Sequence, residues 1–466
     1  MNAGKNSDKA VQELWSLCGV LRDDGVSAQD YVNELTLLLF IKMMEETGRD
    51  AEMPPGTRWS ELLAADRALE AYVEAVRRLS VADGPPLNGV LHGARTSLRN
   101  PSSVTALLAA VDRMDWFDED AERLGDVYEG LLERIATDRK SSTGQYFTPR
   151  PLVECIVEVM QPAAGETIQD PAAGTGGFLI AAHAQLKRKD EDAHAAFCGV
   201  ELVPDTYRLL VMNLTLHGID PVGVRLGDAL TAIGETLPPA DLILTNPPFG
   251  VARKGRRPDR GDFAVTSRSS NKQLAFVEHV VRGLAPGGRA AVIVPDNVLF
   301  ASGAARELRT WMLDACDVHT LLRLPSGIFY AQGVKTCVLF LQRPQAGGDA
   351  TRAVRIYDMR AGLPAFGRAR PLRRSDFDEF VEGFHSAAGA AGNHTAAQNA
   401  NDRWRTFTRE EIARRDDKLD PVWISSIDAS ELALEEPWDM LEAARGHLAR
   451  ALVGIDELAS LLEASA

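Results

Sequence analysis

Residues 167–177 read TIQDPAAGTGG, and this stretch decides the fold. A short apolar segment ends at an acidic residue and runs directly into a glycine-rich loop, after which residues 177–187 have a helical pattern. Glycine lets a ligand approach the backbone closely, and the first turn of a helix offers unpaired N–H groups to an anionic ligand. The order of strand, glycine loop and helix predicts a ligand-binding α/β sheet. The loop alone also fits a dinucleotide site or a tight turn without a ligand.

Downstream of the loop, short apolar runs alternate with helical stretches. Residues 205–217 and 274–284 have helical patterns. Strands are predicted at residues 197–200, 224–226, 241–244, 289–294, 321–324 and 336–341. This alternation predicts a doubly wound, mostly parallel, Rossmann-like α/β sheet, because parallel strands need crossover connections.

The chain divides into three predicted parts. Helical spacing of apolar residues predicts an all-helical N-terminal domain at residues 1–138. The α/β domain is expected at residues 139–425 and a C-terminal helical tail at residues 426–466. The most apolar run, LTLLLFIKMM at residues 35–44, is about half the length that spans a bilayer, so it predicts a buried helix and no membrane role.

Composition narrows the possible functions. The formal net charge of −15 argues against a protein that binds DNA over its whole surface, because phosphate neutralisation needs clustered lysine and arginine. It leaves room for a DNA enzyme whose partner supplies most of the affinity. The five cysteines form no CxxC pair and the histidines lack metal-ligand spacing near them, so no metal site or disulfide framework is expected. The first ten residues lack the apolar core of a signal peptide, and we expect a cytoplasmic location.

Two acidic residues follow predicted strands after the glycine loop. Glu201 follows residues 197–200, where a carboxylate can bind two ribose hydroxyls, and Asp228 follows residues 224–226, where it can accept from an adenine amino group. Each alone is also compatible with a solvated strand end. Together with a glycine loop that lacks the GxGxxG spacing, they favour S-adenosylmethionine over NAD as the cofactor.

The tetrapeptide NPPF at residues 246–249 follows the strand predicted at residues 241–244. Consecutive prolines fix φ and remove two N–H donors, so the backbone there offers only carbonyl acceptors. The Asn246 amide oxygen and a proline carbonyl can both accept from one planar amino group, and Phe249 can stack on a base turned out of the helix. The alternative is a turn that merely ends a strand. We predict a site at which an amino nitrogen is methylated, with Asn246, Pro247, Pro248 and Phe249 as its catalytic residues.

These motifs resemble those of the γ group of amino-group DNA methyltransferases. DPAAGTGG, the acidic residue of GVEL and NPPF occur in that order, and TGQYFTPR at residues 143–150 resembles an additional cofactor motif placed ahead of the glycine loop. The segments LAPGGRAAVIVPDNVLF and LPSGIFYAQGVKTCVLFL extend the resemblance to the methylation subunit of type I restriction–modification systems. The resemblance implies N6-adenine methylation of DNA. The predicted cofactor-binding residues are Gln145, Tyr146, Phe147, Thr148, Pro149, Arg150, Asp170, Ala172, Gly174, Thr175, Gly176, Gly177, Glu201 and Asp228.

The resemblance also implies partners. No separate target-recognition domain is evident, so we expect a specificity subunit, a second copy of this chain and, in the complete system, a restriction nuclease subunit. Apolar residues recur every seven positions at Leu441, Leu448, Ile455 and Leu462, which predicts a coiled-coil seam. The seam is expected to dock on the specificity subunit, and the alternative is that it packs on this chain's own helical domain.

A basic cluster follows the tetrapeptide in an otherwise acidic protein. It predicts phosphate contacts beside the target base, although a solvated loop is the alternative. The predicted DNA-binding residues are Arg253, Lys254, Arg256, Arg257 and Arg260.

Three other functions remain open from the sequence. A glutamine side chain of a protein offers the same kind of planar nitrogen to an NPP motif. A cofactor-binding scaffold without catalysis is a second alternative, although an intact NPPF argues against it. A nicotinamide dehydrogenase is a third, and it would leave NPPF without a purpose.

Overall fold

The structure is a computed structural model of the 466-residue chain. It describes residues 25–82, 91–113 and 148–421, together with residues 12, 15, 16 and 130. Within those ranges, residues 27, 92, 251–254, 326, 330–334, 346–349, 361–365, 367–369 and 389–402 are not described. The predicted domain boundaries after residues 138 and 425, and the heptad seam, lie outside the described residues and stay predictions.

Helices pack on both faces of a central sheet. Among the described residues, three short 3₁₀ turns lie at Asp50–Glu52, Pro221–Gly223 and Arg374–Phe377. The helices of the described residues are α1 (Ala28–Glu46), α2 (Trp59–Leu63), α3 (Ala68–Leu79), α4 (Pro101–Arg113), α5 (Arg150–Met160), α6 (Gly177–Lys189), α7 (Pro204–Leu216), α8 (Ala232–Glu235), α9 (Lys272–Gly283), α10 (Asn297–Phe300), α11 (Ala304–Ala315), α12 (Asp378–Ala388) and α13 (Arg409–Ala413).

The sheet of the described residues has nine strands in the order β3-β2-β1-β4-β5-β7-β6-β8-β9. Strands β1 to β5 run parallel, and β7 is antiparallel to both of its neighbours, β5 and β6. β8 is parallel to β6, and β9 is antiparallel to β8. The strands are β1 (Thr167–Asp170), β2 (Ala196–Glu201), β3 (Val224–Leu226), β4 (Ala240–Thr245), β5 (Leu284–Pro295), β6 (Asp317–Arg323), β7 (Thr336–Gln342), β8 (Ala353–Asp358) and β9 (Trp404–Thr408). The predicted doubly wound, mostly parallel fold is confirmed.

The central strands are apolar because both faces of the sheet are covered. In β4 the residues from Leu242 to Thr245 are all buried, and β7 is buried from Thr336 to Leu341. One face packs against α5, α6 and α7, and the other packs against α9 and α11. Runs of this kind, rather than alternating polar and apolar residues, are expected for strands covered on both sides.

The described part of the N-terminal region is helical, as predicted. Residues 35–44, the most apolar run, lie in α1 and are all buried. The buried residues of α1 belong to the same apolar cluster as those of α5, α6 and α7. The helical region is therefore packed directly on one face of the α/β domain.

The sequence patterns missed the last two strands. β8 has alternating burial and pairs with the edge strand β9, of which no residue is fully buried. Half-exposed strands at the edge of a sheet have little apolar signal. β5 also begins five residues before the prediction, at Leu284, with Gly287 and Gly288 in its first half.

Candidate active site

The ends of three neighbouring parallel strands form the site. β2, β1 and β4 lie side by side, and their carboxyl ends carry Glu201, Asp170 and the residue pair Thr245–Asn246. In an open α/β sheet, ligands bind in the crevice outside these strand ends. The structure thus brings together the glycine loop, Glu201, which is predicted to bind the ribose, and the predicted catalytic tetrapeptide.

The glycine loop turns sharply between β1 and α6. Gly174 and Gly176 have φ values of 55° and 91°, a region that favours glycine. At Gly176 a Cβ would also lie 2.9 Å from a methyl carbon of Leu210, whereas at Gly174 and Gly177 it would project into open space. The loop is packed against α7 at one point and open where a ligand would approach the first turn of α6. This arrangement fits S-adenosylmethionine, whose carboxylate the free N–H groups of that turn can bind.

Asp170 organises the base of this loop. Its carboxylate oxygen Oδ1 accepts from the Ala172 N–H at 3.0 Å and from the Thr245 hydroxyl at 2.7 Å. The side chain is only 2% exposed, and burial raises the pKa of this carboxyl to about 7. Asp170 therefore joins the glycine loop on β1 to the end of β4 and lies beneath the open surface of the loop.

Glu201 binds the same loop from β2. One carboxylate oxygen accepts from the Gly174 N–H at 3.0 Å, and the other accepts from the Val203 N–H at 2.8 Å. Burial raises the pKa of this carboxyl, although the backbone hydrogen bonds act to lower it. Each carboxylate oxygen has a second lone pair, so Glu201 can still accept from ribose hydroxyls. Asp228, after β3, accepts from the Leu230 N–H at 2.9 Å through one oxygen.

Asn246 is oriented by a residue from the upstream motif. Its amide nitrogen donates to the hydroxyl oxygen of Thr148 at 2.9 Å. Its amide oxygen is buried and has no hydrogen-bond partner among the described residues. A buried acceptor without a donor costs about 1–3 kcal/mol, a penalty that an incoming N–H group relieves. The arrangement holds an acceptor ready beside the glycine loop.

Phe249, the last residue of the tetrapeptide, contacts another aromatic residue. Its ring lies edge-to-face with that of Phe329, with centroids 6.4 Å apart. Gly250 follows with φ at 97°, so the chain turns away directly after the aromatic residue. Pro247 is buried, and Pro248 is half-buried.

The upstream motif is only partly described. Thr148 contacts Asn246, Pro149 is the N-cap of α5, and Arg150 is exposed and hydrogen-bonds Glu154 at 3.2 Å. Of the glycine-loop residues, Thr175 accepts through its carbonyl from the Asn213 amide at 2.9 Å. Gln145, Tyr146, Phe147, Arg253 and Lys254 lie outside the described residues, so their roles stay predictions.

The basic cluster separates into two kinds of residue. Arg256 and Arg257 are exposed, as a phosphate contact requires. The Arg260 side chain is only 3% exposed and forms an ion pair with Asp262 at 2.7 Å. Its guanidinium also donates to the Ala229 carbonyl at 2.9 Å and lies 2.8 Å from Nδ1 of His279. The prediction that Arg260 binds phosphate is therefore wrong, because its donors are already used in the interior.

One buried carboxylate fixes the same segment to α9. Glu278 is fully buried and accepts from the N–H groups of Ala264, Val265 and Thr266 at 2.8, 3.1 and 2.6 Å. The Thr266 hydroxyl donates to it at 2.6 Å, and Arg282 donates at 2.9 Å. Burial acts to raise the pKa of Glu278, but these hydrogen bonds outweigh it and the pKa is lowered. Hydrogen bonds from the chain thus stabilise the ionised Glu278 carboxylate in the interior.

Sequence reasoning missed several residues that shape the site. Thr245, Phe329 and Gln273 were not singled out, although each lies next to a predicted residue or contacts its loop. Thr245 had a detectable signal, since it is a polar residue at the end of an apolar run. Gln273 had none, because its partner lies 23 positions away.

Comparison with known proteins decides the family. The sequence profile of the N-6 DNA methylase family matches residues 119–429, a span that includes every strand from β1 to β9. The chain belongs to the N-6 DNA methylase family. It is accordingly an adenine-specific DNA methyltransferase that uses S-adenosylmethionine. This membership favours DNA methylation over the two alternative functions of glutamine methylation and nicotinamide-dependent dehydrogenation.

Relatives within this family match nearly the whole chain. The type I restriction enzyme EcoKI methylase subunit of Escherichia coli K12 is 40% identical, over 99% of this chain and 96% of that protein. The crystal structure of the EcoKI M protein has a TM-score of 0.54 and 36% identity, covering 97% of this chain and 96% of its own. A chain from a structure concerning complex assembly and conformational transition of the type I R-M system has a TM-score of 0.76 and 26% identity, covering 98% of both chains.

Two further observations concern the N-6 DNA methylase chain as described. Among the described residues, no cluster of three or more histidine, cysteine, aspartate or glutamate side chains has the arrangement of a metal site. No helix in the described part of the chain combines the length and the apolar character needed to cross a bilayer.

Proposed function

We propose that this chain is the methylation subunit of a type I restriction–modification complex, and that residues 246–249 hold its target adenine. The observation that carries the proposal is the Asn246 amide, whose nitrogen is bound by Thr148 and whose buried oxygen has no donor among the described residues. An exocyclic amino group supplies the donor that this oxygen lacks. The family and the near full-length similarity to the EcoKI methylase subunit support adenine in DNA as the bearer of that amino group.

The chain's own residues align and polarise the acceptor nitrogen. Asn246 and the carbonyl of Pro247 accept from the two N–H bonds of the N6 amino group, which draws its lone pair out of conjugation with the ring. As the nitrogen gains the methyl group it becomes positive, and the same two acceptors stabilise that charge. The N6 proton leaves afterwards to solvent. Phe249 stacks on the base and keeps water from the reacting atoms.

The cofactor site is assigned to the neighbouring strands. S-adenosylmethionine, when bound, supplies the methyl group from its sulfonium centre. The glycine loop at residues 170–177 and Glu201 would hold it, the first turn of α6 binding its carboxylate and Glu201 its ribose hydroxyls. Asp228 would accept from the amino group of its adenine, and residues 145–150 are predicted to contact the cofactor. We also propose a cytoplasmic location, since DNA and the cofactor are both present there.

The partners follow from the charge and the C-terminal repeat. A chain of net charge −15 needs another subunit for most of its DNA affinity, and a specificity subunit supplies it. The heptad seam beginning at Leu441 is proposed to dock on that subunit, together with a second copy of this chain and, in the complete system, a nuclease subunit. Truncation before Glu436 should leave cofactor binding intact but abolish co-purification with the specificity subunit. Full co-purification of the truncated chain would contradict the docking role.

Substitution of Asn246 tests the catalytic assignment. The full chain, assembled with its specificity subunit, is incubated with labelled S-adenosylmethionine and DNA from a strain without adenine methylation, and the nucleosides are then separated. The wild type should yield N6-methyladenine. Asn246→Ala should lose on the order of 10²–10³ in rate while binding S-adenosylhomocysteine normally. Methylation by Asn246→Ala at the wild-type rate would show that the amide is not catalytic.

A further inference from the structure

Gly250, the residue directly after the tetrapeptide, is held through both its backbone N–H and its carbonyl. The Gly250 N–H donates to the side-chain oxygen Oε1 of Gln273 at 2.7 Å. The Gly250 carbonyl accepts from the Lys272 N–H at 3.1 Å. Both partners lie in the first turn of α9, which packs on the sheet through a long apolar face. Gly250 is therefore fixed to a rigid helix and not to another loop.

Gln273 is itself held from its other end. Its side chain is only 2% exposed, and its nitrogen Nε2 donates to the Asn297 side-chain oxygen at 2.8 Å. Asn297 begins α10, directly after Asp296, which Arg360 binds through two hydrogen bonds of 2.7 Å. Hydrogen bonds, together with the adjacency of Asp296 and Asn297 in the chain, thus connect the loop after β4 with the loops after β5 and β8.

The tetrapeptide is consequently fixed at both of its ends. Thr148 orients Asn246 at the first residue, and Gln273 holds Gly250 just after the last. The two prolines between them restrict φ, so a displacement of Gly250 is transmitted to Phe249 and Asn246 instead of being absorbed. A Cβ on Gly250 would meet nothing within 4 Å, so its positive φ serves the turn and not close packing.

We propose that Gln273 is a positioning residue for methyl transfer, one that sets the place of Phe249 and Asn246 through the backbone of Gly250. The proposal rests on the function proposed for residues 246–249. Gln273 contacts the loop that holds the base and takes no part in bonding to substrate. Reacting atoms must be aligned closely, and a misplacement of about 1 Å can cost roughly 10²-fold in rate. Gln273 therefore affects kcat, while cofactor binding at β1 and β2 is independent of it.

Two substitutions of Gln273 test this in the assembled complex. Gln273→Leu removes both hydrogen bonds, and kcat for N6-methyladenine formation should fall about ten- to 100-fold. Affinity for S-adenosylhomocysteine should stay within about twofold of the wild type. Gln273→Glu retains an oxygen that accepts from the Gly250 N–H, and it should recover most of the lost rate. A purely structural residue would lower Tm in both variants and leave kcat per folded molecule unchanged, which would overturn the proposal.

Gln169→Leu is a matched control. Gln169 is also a buried glutamine, but its amide donates at 3.1 Å to the Pro238 carbonyl, ahead of β4 and away from Gly250. This variant should lose stability and keep kcat. If Gln273→Leu does not fold, Asn297→Ala decides the matter, because Asn297 is exposed and its loss frees only one end of Gln273. Asn297→Ala should lower kcat several-fold, and full kcat would contradict the proposal.

Parallel measurement of Asn246→Ala separates the two proposals. If Asn246→Ala is inactive and Gln273→Leu is fully active, only the positioning role fails. If Asn246→Ala retains full activity, the function proposed for the tetrapeptide fails and the role of Gln273 fails with it.

Discussion

The hydroxyl oxygen of Thr148 lies 2.9 Å from the amide nitrogen of Asn246, although 98 positions separate the two residues. Thr148 immediately precedes Pro149, the N-cap of α5, and Asn246 follows β4. The contact ties the motif upstream of the sheet to the tetrapeptide and leaves the amide oxygen of Asn246 facing no protein donor among the described residues. In this orientation the oxygen of the Asn246 amide, and not its nitrogen, is left for an adenine amino group.

Removal of the Thr148 hydroxyl should impair methylation. Thr148→Val keeps the shape of the side chain but loses the hydrogen bond, and a single such bond is worth about 0.5–1.5 kcal/mol. We expect kcat to fall about three- to tenfold, and Thr148→Ser to restore it. Thr215→Val is the control, since in the described part of the chain the Thr215 hydroxyl donates to the Val211 carbonyl of its own helix at 2.8 Å. Equal kcat in Thr148→Val and the wild type would remove Thr148 from the site.

Substitution of Glu201 should weaken the cofactor site. Glu201→Ala removes the predicted ribose acceptor and also frees Gly174 from β2. Binding of S-adenosylhomocysteine, measured by isothermal titration, should weaken by roughly 1–3 kcal/mol, and NAD should not bind. Asp205→Ala, four positions further on, removes an exposed acid paired with Arg208 and should leave affinity unchanged. Unaltered affinity in Glu201→Ala would contradict the assignment.

The raised pKa of Asp170 predicts a pH dependence of stability. Because burial raises its pKa from 3.8 to about 7, the folded chain takes up a proton at this carboxyl. The contribution of Asp170 protonation to the free energy of unfolding is complete below about pH 4. It is lost as the pH rises through 7, by up to about 4 kcal/mol. Asp170→Asn imitates the protonated form and lacks this dependence. The Tm difference in favour of the variant should therefore grow between pH 4 and 7, and parallel profiles would refute the shift.

The two classes of arginine after the tetrapeptide should behave differently. Arg256→Ala and Arg257→Ala should each reduce the salt dependence of DNA binding by the assembled complex by about one unit of log–log slope. Arg260→Ala should leave that slope unchanged and lower Tm, since it leaves His279 and Asp262 without their buried partner. Fluorescence anisotropy across a salt series, with thermal unfolding alongside, makes the comparison. A reduced slope in Arg260→Ala alone would reverse the assignment.

Much of this fold could be predicted because the site residues directly follow strands that the sequence pattern identifies. Most strands from β1 to β7 contain an apolar run that the sequence pattern detects, and Asp170, Glu201 and Asn246 each lie at or directly after the end of a strand. Parallel strands then bring those ends to one edge. The edge pair β8 and β9 was missed because half-exposed strands lack such runs.

What sequence patterns could not supply is the pairing between distant side chains. Arg260 stands beside Arg256 and Arg257 in the chain, and nothing local distinguishes it from them. It differs because His279, 19 positions later, lies beneath it in the folded chain. The contact between Gln273 and Gly250 has the same origin.

The four hydrogen bonds from residues 264–266 to Glu278 have an evolutionary consequence. They anchor the returning arm of the loop, as Gln273 anchors the departing arm at Gly250. Between the anchors, the exposed residues Arg256 and Arg257 can therefore change without displacing Phe249, whereas Arg260 is fixed in the interior. New contacts to nucleic acid can then be acquired at these exposed positions while the reaction centre is inherited unaltered.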